Sequence, residues 1–157
     1  MIDKIKTRLA SEQGFTLIEL LVVIVILGIL VAIAVPSYLS FRGNASQAAA
    51  QANVRSAIPA AEGYYQDPTL GNGTYYHAGK AASGTMTNAD LALVAPGISP
   101  GVTVLTVNAG QGYCLGDVNA GKSAYYVGGS PGALPTGAVQ STVTTGKTCS
   151  DFTGWAP

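Results

Sequence analysis

The sequence is poor in the residues that usually carry chemistry. Its 157 residues include one histidine, two cysteines and one tryptophan, and only 10% are charged, against about 25% in ordinary soluble domains. So few imidazole and thiolate ligands argue against a metal enzyme or a resident metal. No nucleophile stands in an arrangement with a base, so neither catalytic residues nor a cofactor is expected. Eight Lys and Arg balance eight Asp and Glu, which leaves no broad basic footprint and no expectation of a specific nucleic-acid partner.

What the chain does have is a long apolar run near its N-terminus and an abundance of glycine, 20 residues. The run "GFTLIELLVVIVILGILVAIAVP" extends from Gly14 to Pro36, with Glu19 as its one charge. The sixteen residues from Leu20 to Val35 are all apolar or glycine. As a helix, Phe15 to Val35 measures about 31 Å at about 1.5 Å per residue, close to the ~30 Å of a bilayer core. A carboxylate in such a segment costs up to about 3 kcal/mol at its centre and less near an end. Glu19 therefore needs a reason and a partner. The preceding fourteen residues carry Lys4, Lys6 and Arg8, a basic flank that stays on the cytoplasmic side of a membrane. The rest of the chain is then delivered across it, to a compartment that permits disulfides.

Three readings of this N-terminus compete. An ordinary secretory signal is supported by Ala32-Ile33-Ala34, an A-x-A pattern at the end of the run. A simple one-pass anchor needs only the apolar length. Neither uses Glu19, nor a basic segment that stops at Gly14 ahead of Phe-Thr-Leu-Ile-Glu. The third does: "GFTLIELLVVIVILGILVAIAVPSY" resembles the N-terminus of type IV prepilins and of the related pseudopilins of type II secretion, closely from Gly14 to about Tyr38. The resemblance implies cleavage by a prepilin peptidase between Gly14 and Phe15, N-methylation of the new N-terminal Phe15, an assembly role for Glu19, and a helix kink at Pro36. It implies a homo-oligomeric helical filament as the end state. The partners it implies are that peptidase, the inner-membrane pilus assembly machinery, and membrane lipid before assembly. The subunit would start as a single-pass protein of the inner membrane and finish in an extracellular fibre.

Physical chemistry gives Glu19 a matching role. Cleavage after Gly14 would create an α-amino group, positive below a pKa of about 8. One helix pairs its own residues 15 and 19 awkwardly, about 6 Å apart along the axis. A neighbouring helix staggered by a turn would present its amine directly, and the pair gains strength in a low dielectric. Gly28, Ala32 and Ala34 are small enough to let such helices approach closely.

Beyond Pro36 the periodicity predicts that the helix resumes. In "NASQAAAQANVRSAIPAAEGYY", Ala50, Val54, Ala57, Ala61 and Tyr64 form an apolar stripe at spacings of four and three. The helix should end near Tyr65, ahead of Asp67-Pro68, with Gly43 and Pro59 as weak points. Residues 66 to about 100 read as loop with one short helix, "NADLALVA", capped by Thr87 or Asn88. Strand candidates follow in "VTVLTV", "GYCLGDV" and "SAYYVGG", the last two joined by a hairpin-like turn at Asn119-Ala120-Gly121, with a further short strand in "AVQSTVTT". The expected fold is α+β: a long N-terminal helix with a small antiparallel sheet laid on its C-terminal half. The expected organisation is a leader at 1–14, a transmembrane or filament-core helix at 15–36, an amphipathic helix at 37–65 and a head at 66–157.

Cys114 and Cys149 stand either as two free buried thiols or as a disulfide; export favours the disulfide, and many pilins have a disulfide-bounded C-terminal loop. "GDVNAGKS" (Gly116 to Ser123) fits the P-loop pattern letter for letter, but a strand-like, glycine-broken segment follows where the phosphate chemistry needs a helix. His77 reads as a surface or turn residue. Eight tyrosines read as core and subunit-seam cover, with adhesion or charge transport as the sharper alternative. The function expected is a structural subunit of a type IV pilus, of the kind that serves adhesion or motility. The alternatives are a type II secretion pseudopilin and a membrane-anchored binding protein that never polymerises.

Overall fold

The computed structural model describes residues 15–77, 84–134 and 138–152. These fall into two units, one ending at Phe41 and one beginning at Arg42, and each is described by itself. The first element, α1 (Leu17–Gln66), contributes to both.

Among the described residues of the first unit, α1 is the one regular element. Valine and isoleucine are indifferent helix formers in water, but in an apolar medium a helix is the one single-segment solution that satisfies every backbone group. The helix continues through Pro36. Pro36 has no N–H to offer the carbonyl four residues back. Next to that carbonyl, Ser37 Oγ donates to the Ile33 carbonyl at 3.2 Å, a side-chain bond of the kind that bends helices.

In the second unit α1 buries Ala50, Val54, Ala57, Ala60, Ala61 and Tyr64. That is the stripe expected from the sequence, with Ala60 added. Alanines let the helix lie close to what it covers. Pro59 falls on the exposed side, where water can serve the carbonyl it leaves unbonded. The helix stops at Gln66 because Asp67 turns the chain. Its Oδ1 accepts from Thr69 N (2.7 Å), Thr69 Oγ1 (2.6 Å) and Leu70 N (3.1 Å). The Thr69 hydroxyl and amide bonds hold this carboxyl below the usual carboxylate range. The short helix α2 (Asn88–Val94) is capped by Thr87, whose side chain and that of Asp90 form a reciprocal capping box. Asn88 Nδ2 then donates to the carbonyls of Ser99 (3.1 Å) and Val102 (2.9 Å), fixing the entry into the sheet.

The sheet has four antiparallel strands in the order β1-β2-β3-β4: β1 (Thr103–Val107), β2 (Gly112–Asn119), β3 (Lys122–Gly129) and β4 (Thr144–Thr145). Asn119 pairs with Lys122 across the turn Ala120-Gly121, both at positive φ (46° and 77°), the two-residue hairpin geometry that matches strand twist. Side chains alternate between the faces. Tyr113, Leu115 and Ala124 join the α1 stripe, Tyr75, Met86, Leu91 and Val102 in the main core. Cys114, Tyr125 and Val127 face the other way, against Cys149 and Phe152. The fold is α+β, with the sheet packed on the second half of α1. The strand expected in "AVQSTVTT" shrinks to Thr144–Thr145 and an isolated bridge from Gln140 to Val127. Ser141, at φ 62°, breaks the extended backbone between them.

Cys114 and Cys149 form a disulfide, their Cα atoms 5.8 Å apart. It ties the C-terminal segment, including a 3₁₀ turn at Cys149–Asp151, onto the back of β2.

Candidate functional site

The N-terminal turn of α1 brings Phe15 and Glu19 into reach of each other's surroundings, and Pro36 lies further along the same helix; Gly14 lies outside the described residues. Thr16 directly precedes the helix and acts as its cap. Glu19 Oε2 accepts from Thr16 N at 2.8 Å and from Thr16 Oγ1 at 2.7 Å. Thr16 Oγ1 accepts in return from Glu19 N at 3.3 Å. This is a capping box of the Thr-x-x-Glu form, which satisfies N-terminal amides that no helical carbonyl reaches. It also places a carboxylate at the positive end of the helix dipole. Sequence reasoning about Glu19 misses this local partner, although Thr16-Leu17-Ile18-Glu19 spells it. Oε1 makes no hydrogen bond among the described residues and is left to receive a further donor.

Around the cap the chain is apolar and uncovered. Phe15, Leu17, Ile18 and Leu20 are 62 to 89% exposed, and every large apolar side chain onward to Phe41 is exposed as well. By length and composition α1 is able to cross a membrane. Gly28 has no atom within 4 Å of where a Cβ would stand, so among the described residues nothing requires a glycine there. The surface has what a helix-packing partner needs: a continuous apolar side and one oriented carboxylate.

The head holds polar groups that spacing alone does not reveal. Glu62 on α1 accepts from Tyr113 Oη at 2.7 Å and from Tyr75 Oη at 3.3 Å. Burial, reinforced by this carboxylate, pushes both phenols well above the ordinary tyrosine range. Their rings continue a tyrosine row, with centroids 5.0 Å apart for Tyr65–Tyr75, 4.7 Å for Tyr75–Tyr113 and 6.1 Å for Tyr113–Tyr126. Tyr75 and Tyr113 are buried in the main core, and Tyr65 and Tyr126 pack against it partly buried. His77 is less solitary than its sequence suggests: Nε2 lies 3.5 Å from Asp90 Oδ2 and Nδ1 lies 3.4 Å from Tyr64 Oη. Burial, with Asp90 nearby, pushes Tyr64 up to about 12. Asp117, 2% exposed, accepts from Asn53 Nδ2 at 3.0 Å, a clip between α1 and β2. Among the described residues no three His, Cys, Asp or Glu side chains converge to hold a metal. The P-loop look-alike "GDVNAGKS" is the end of β2, the turn and the start of β3, with no helix after it to receive a phosphate.

Comparison with known proteins meets this geometry from the other side. Residues 9–35 match the family model described as the prokaryotic N-terminal methylation motif. The type IV major pilin protein PilA of Myxococcus xanthus (strain DK1622) is 28% identical over 159 residues, covering 91% of this chain and 72% of that protein. The type IV narrow pilus major component PilA5 of Thermus thermophilus is 60% identical over 48 residues, covering 29% of this chain and 41% of that protein. No solved structure matches. With the methylation motif over an exposed apolar helix, a pilin relative along most of its length and a small antiparallel sheet packed on that helix, the chain is similar to the type IV pilins.

Proposed function

We propose that this chain is a structural subunit of a type IV pilus filament. It is made as a precursor, inserted once through the inner membrane by the apolar half of α1, and cut by prepilin peptidase between Gly14 and Phe15. Phe15 is then methylated, and subunits polymerise by burying their N-terminal helices against one another in an extracellular fibre.

The observation that carries this reading is the capped carboxylate of Glu19 on an uncovered apolar helix. Oε2 is committed to Thr16, and all of the cap lies beyond the Gly14–Phe15 bond, so it survives cleavage there. Oε1 remains for the ammonium of a neighbour's Phe15. An unpaired carboxylate in an apolar medium is costly, and each addition to a growing bundle removes that cost. Such pairing sets the stagger, while burial of the helix surfaces, at about 25 cal/mol per Å², supplies the cohesion.

Two variants test it. Glu19→Val should be processed normally and retained in the membrane, with filament yield reduced at least tenfold; a normal yield from Glu19→Val rejects the pairing. Glu19→Asp, which shortens the reach by one methylene, should fall between.

A further inference from the structure

The β2–β3 hairpin, whose tip is the stretch with the misleading phosphate-loop pattern, has a use that the filament does not require of it. We infer that this tip, with Arg42, is a contact site for the phosphate groups of anionic lipids on the outer face of the membrane before assembly. The inference rests on the membrane-anchored stage of the proposed function.

Arg42 is one peptide bond beyond Phe41, where the exposed apolar residues of α1 stop. A residue there emerges at headgroup depth when the preceding run spans the bilayer. Within the second unit the hairpin tip packs beside Gly43, the residue that follows Arg42. Lys122 Cε lies 3.6 Å from the Cβ position of Gly43, and Gln47 Nε2 donates to the Ser123 carbonyl at 2.8 Å. Arg42 and Lys122 are both exposed, and neither has an ion-pair partner among the described residues. The hairpin's own acid does not offset them, because Asp117 is buried and turned onto Asn53. Lys147 also approaches this end, through the bond from Gly146 N to the Ser123 carbonyl, but its Nζ sits 5.5 Å over the Phe152 ring and its charge acts on Asp151. Two cations on long stems suit an interface that is anionic above and apolar below.

The test uses the full chain reconstituted in two kinds of bilayer, phosphatidylcholine alone and phosphatidylcholine with about one-third phosphatidylglycerol. Co-flotation after a carbonate wash reports whether the helix is inserted. Amide hydrogen exchange over residues 117–124 reports whether the tip is covered. Flotation in both bilayers, with exchange at least threefold slower in the anionic one, is the expected result. The slowing should vanish in the double variant Arg42→Gln, Lys122→Gln and in 0.5 M salt, and persist in Arg55→Gln. Flotation with equal exchange in the two bilayers, or slowing that the double variant retains, overturns the lipid contact and leaves the anchor intact. Failure to float overturns the anchor and the contact together.

Discussion

Thr16 and Glu19 close the first turn of α1 on each other, carboxylate oxygen to amide and hydroxyl on one side and hydroxyl to amide on the other. On the proposed function this helix end must stay intact in oil, where water cannot serve the free amides. The cap does so with the same carboxylate that the proposal assigns to pairing with a neighbouring subunit.

Thr16→Val removes both bonds of the Thr16 hydroxyl while preserving shape and the bond from Thr16 N to Glu19. The loss of an N-cap is worth about 1 kcal/mol, so amide exchange at residues 17–20 of the reconstituted chain should quicken about fivefold. Thr16→Ser should behave as the native chain does. Equal exchange in all three would remove the cap from the account.

The Cys114–Cys149 bridge spans 35 residues, a segment rich in glycine and short of core beyond β3. In the loop-entropy model such a closure is worth about 4 kcal/mol. Reduction, or the double change Cys114→Ser and Cys149→Ser, should lower the thermal midpoint of the head by about 15–30 °C, taking about 4–8 °C per kcal/mol near the midpoint. Circular dichroism melts with and without reductant read this directly.

Tyr113 lies over Gly128, and a Cβ on residue 128 would collide with its ring. The ring has little room to yield, since its hydroxyl is held by Glu62 and its neighbour is Tyr75. Gly128→Ala should cost about 1–3 kcal/mol. Tyr113→Phe should cost about 2 kcal/mol through the lost bond to a carboxylate. The double variant Gly128→Ala, Tyr113→Leu should be less unstable than the sum of the corresponding single variants, as denaturant melts would show.

Alkaline stability follows from the buried phenols. Their folded pKa values lie above the ordinary value, about 12 for Tyr64 and likewise raised by burial for Tyr75 and Tyr113. Below the ordinary tyrosine value of about 10, both folded and unfolded chains hold these protons, and the contribution is complete. As pH rises past that value the unfolded chain releases them first, so stability falls, for Tyr64 until about pH 12. Melts taken from about pH 8 to 11 should be flat and then drop, and Tyr64→Phe should make the drop shallower.

Much of this architecture is legible in the sequence because it rests on local periodicity. The stripe Ala50, Val54, Ala57, Ala61, Tyr64 has one spacing rule and one outcome. The Asn119-Ala120-Gly121 turn carries its own backbone chemistry. What escapes reading is non-local or doubly determined. Glu62 meets Tyr113 across 51 residues, and Asp117 meets Asn53 across 64; no pattern within either segment marks the pair. His77 looks solitary because Asp90 reaches it only after α2 folds. Glu19 reads as a charge in need of a distant partner, and that need hides the nearer partner three residues away. The missing length of β4 depends on one residue, Ser141, whose positive φ nothing in "AVQSTVTT" announces.

The central claim is that this chain, shortened to begin at Phe15, is the material of a fibre. Intact mass spectrometry of the subunit from sheared surface filaments tests it most directly. The account predicts one dominant species that starts at a methylated Phe15 and carries the Cys114–Cys149 bridge. Filaments whose subunit retains Met1 to Gly14, or a secreted chain that begins at Val35, would contradict it.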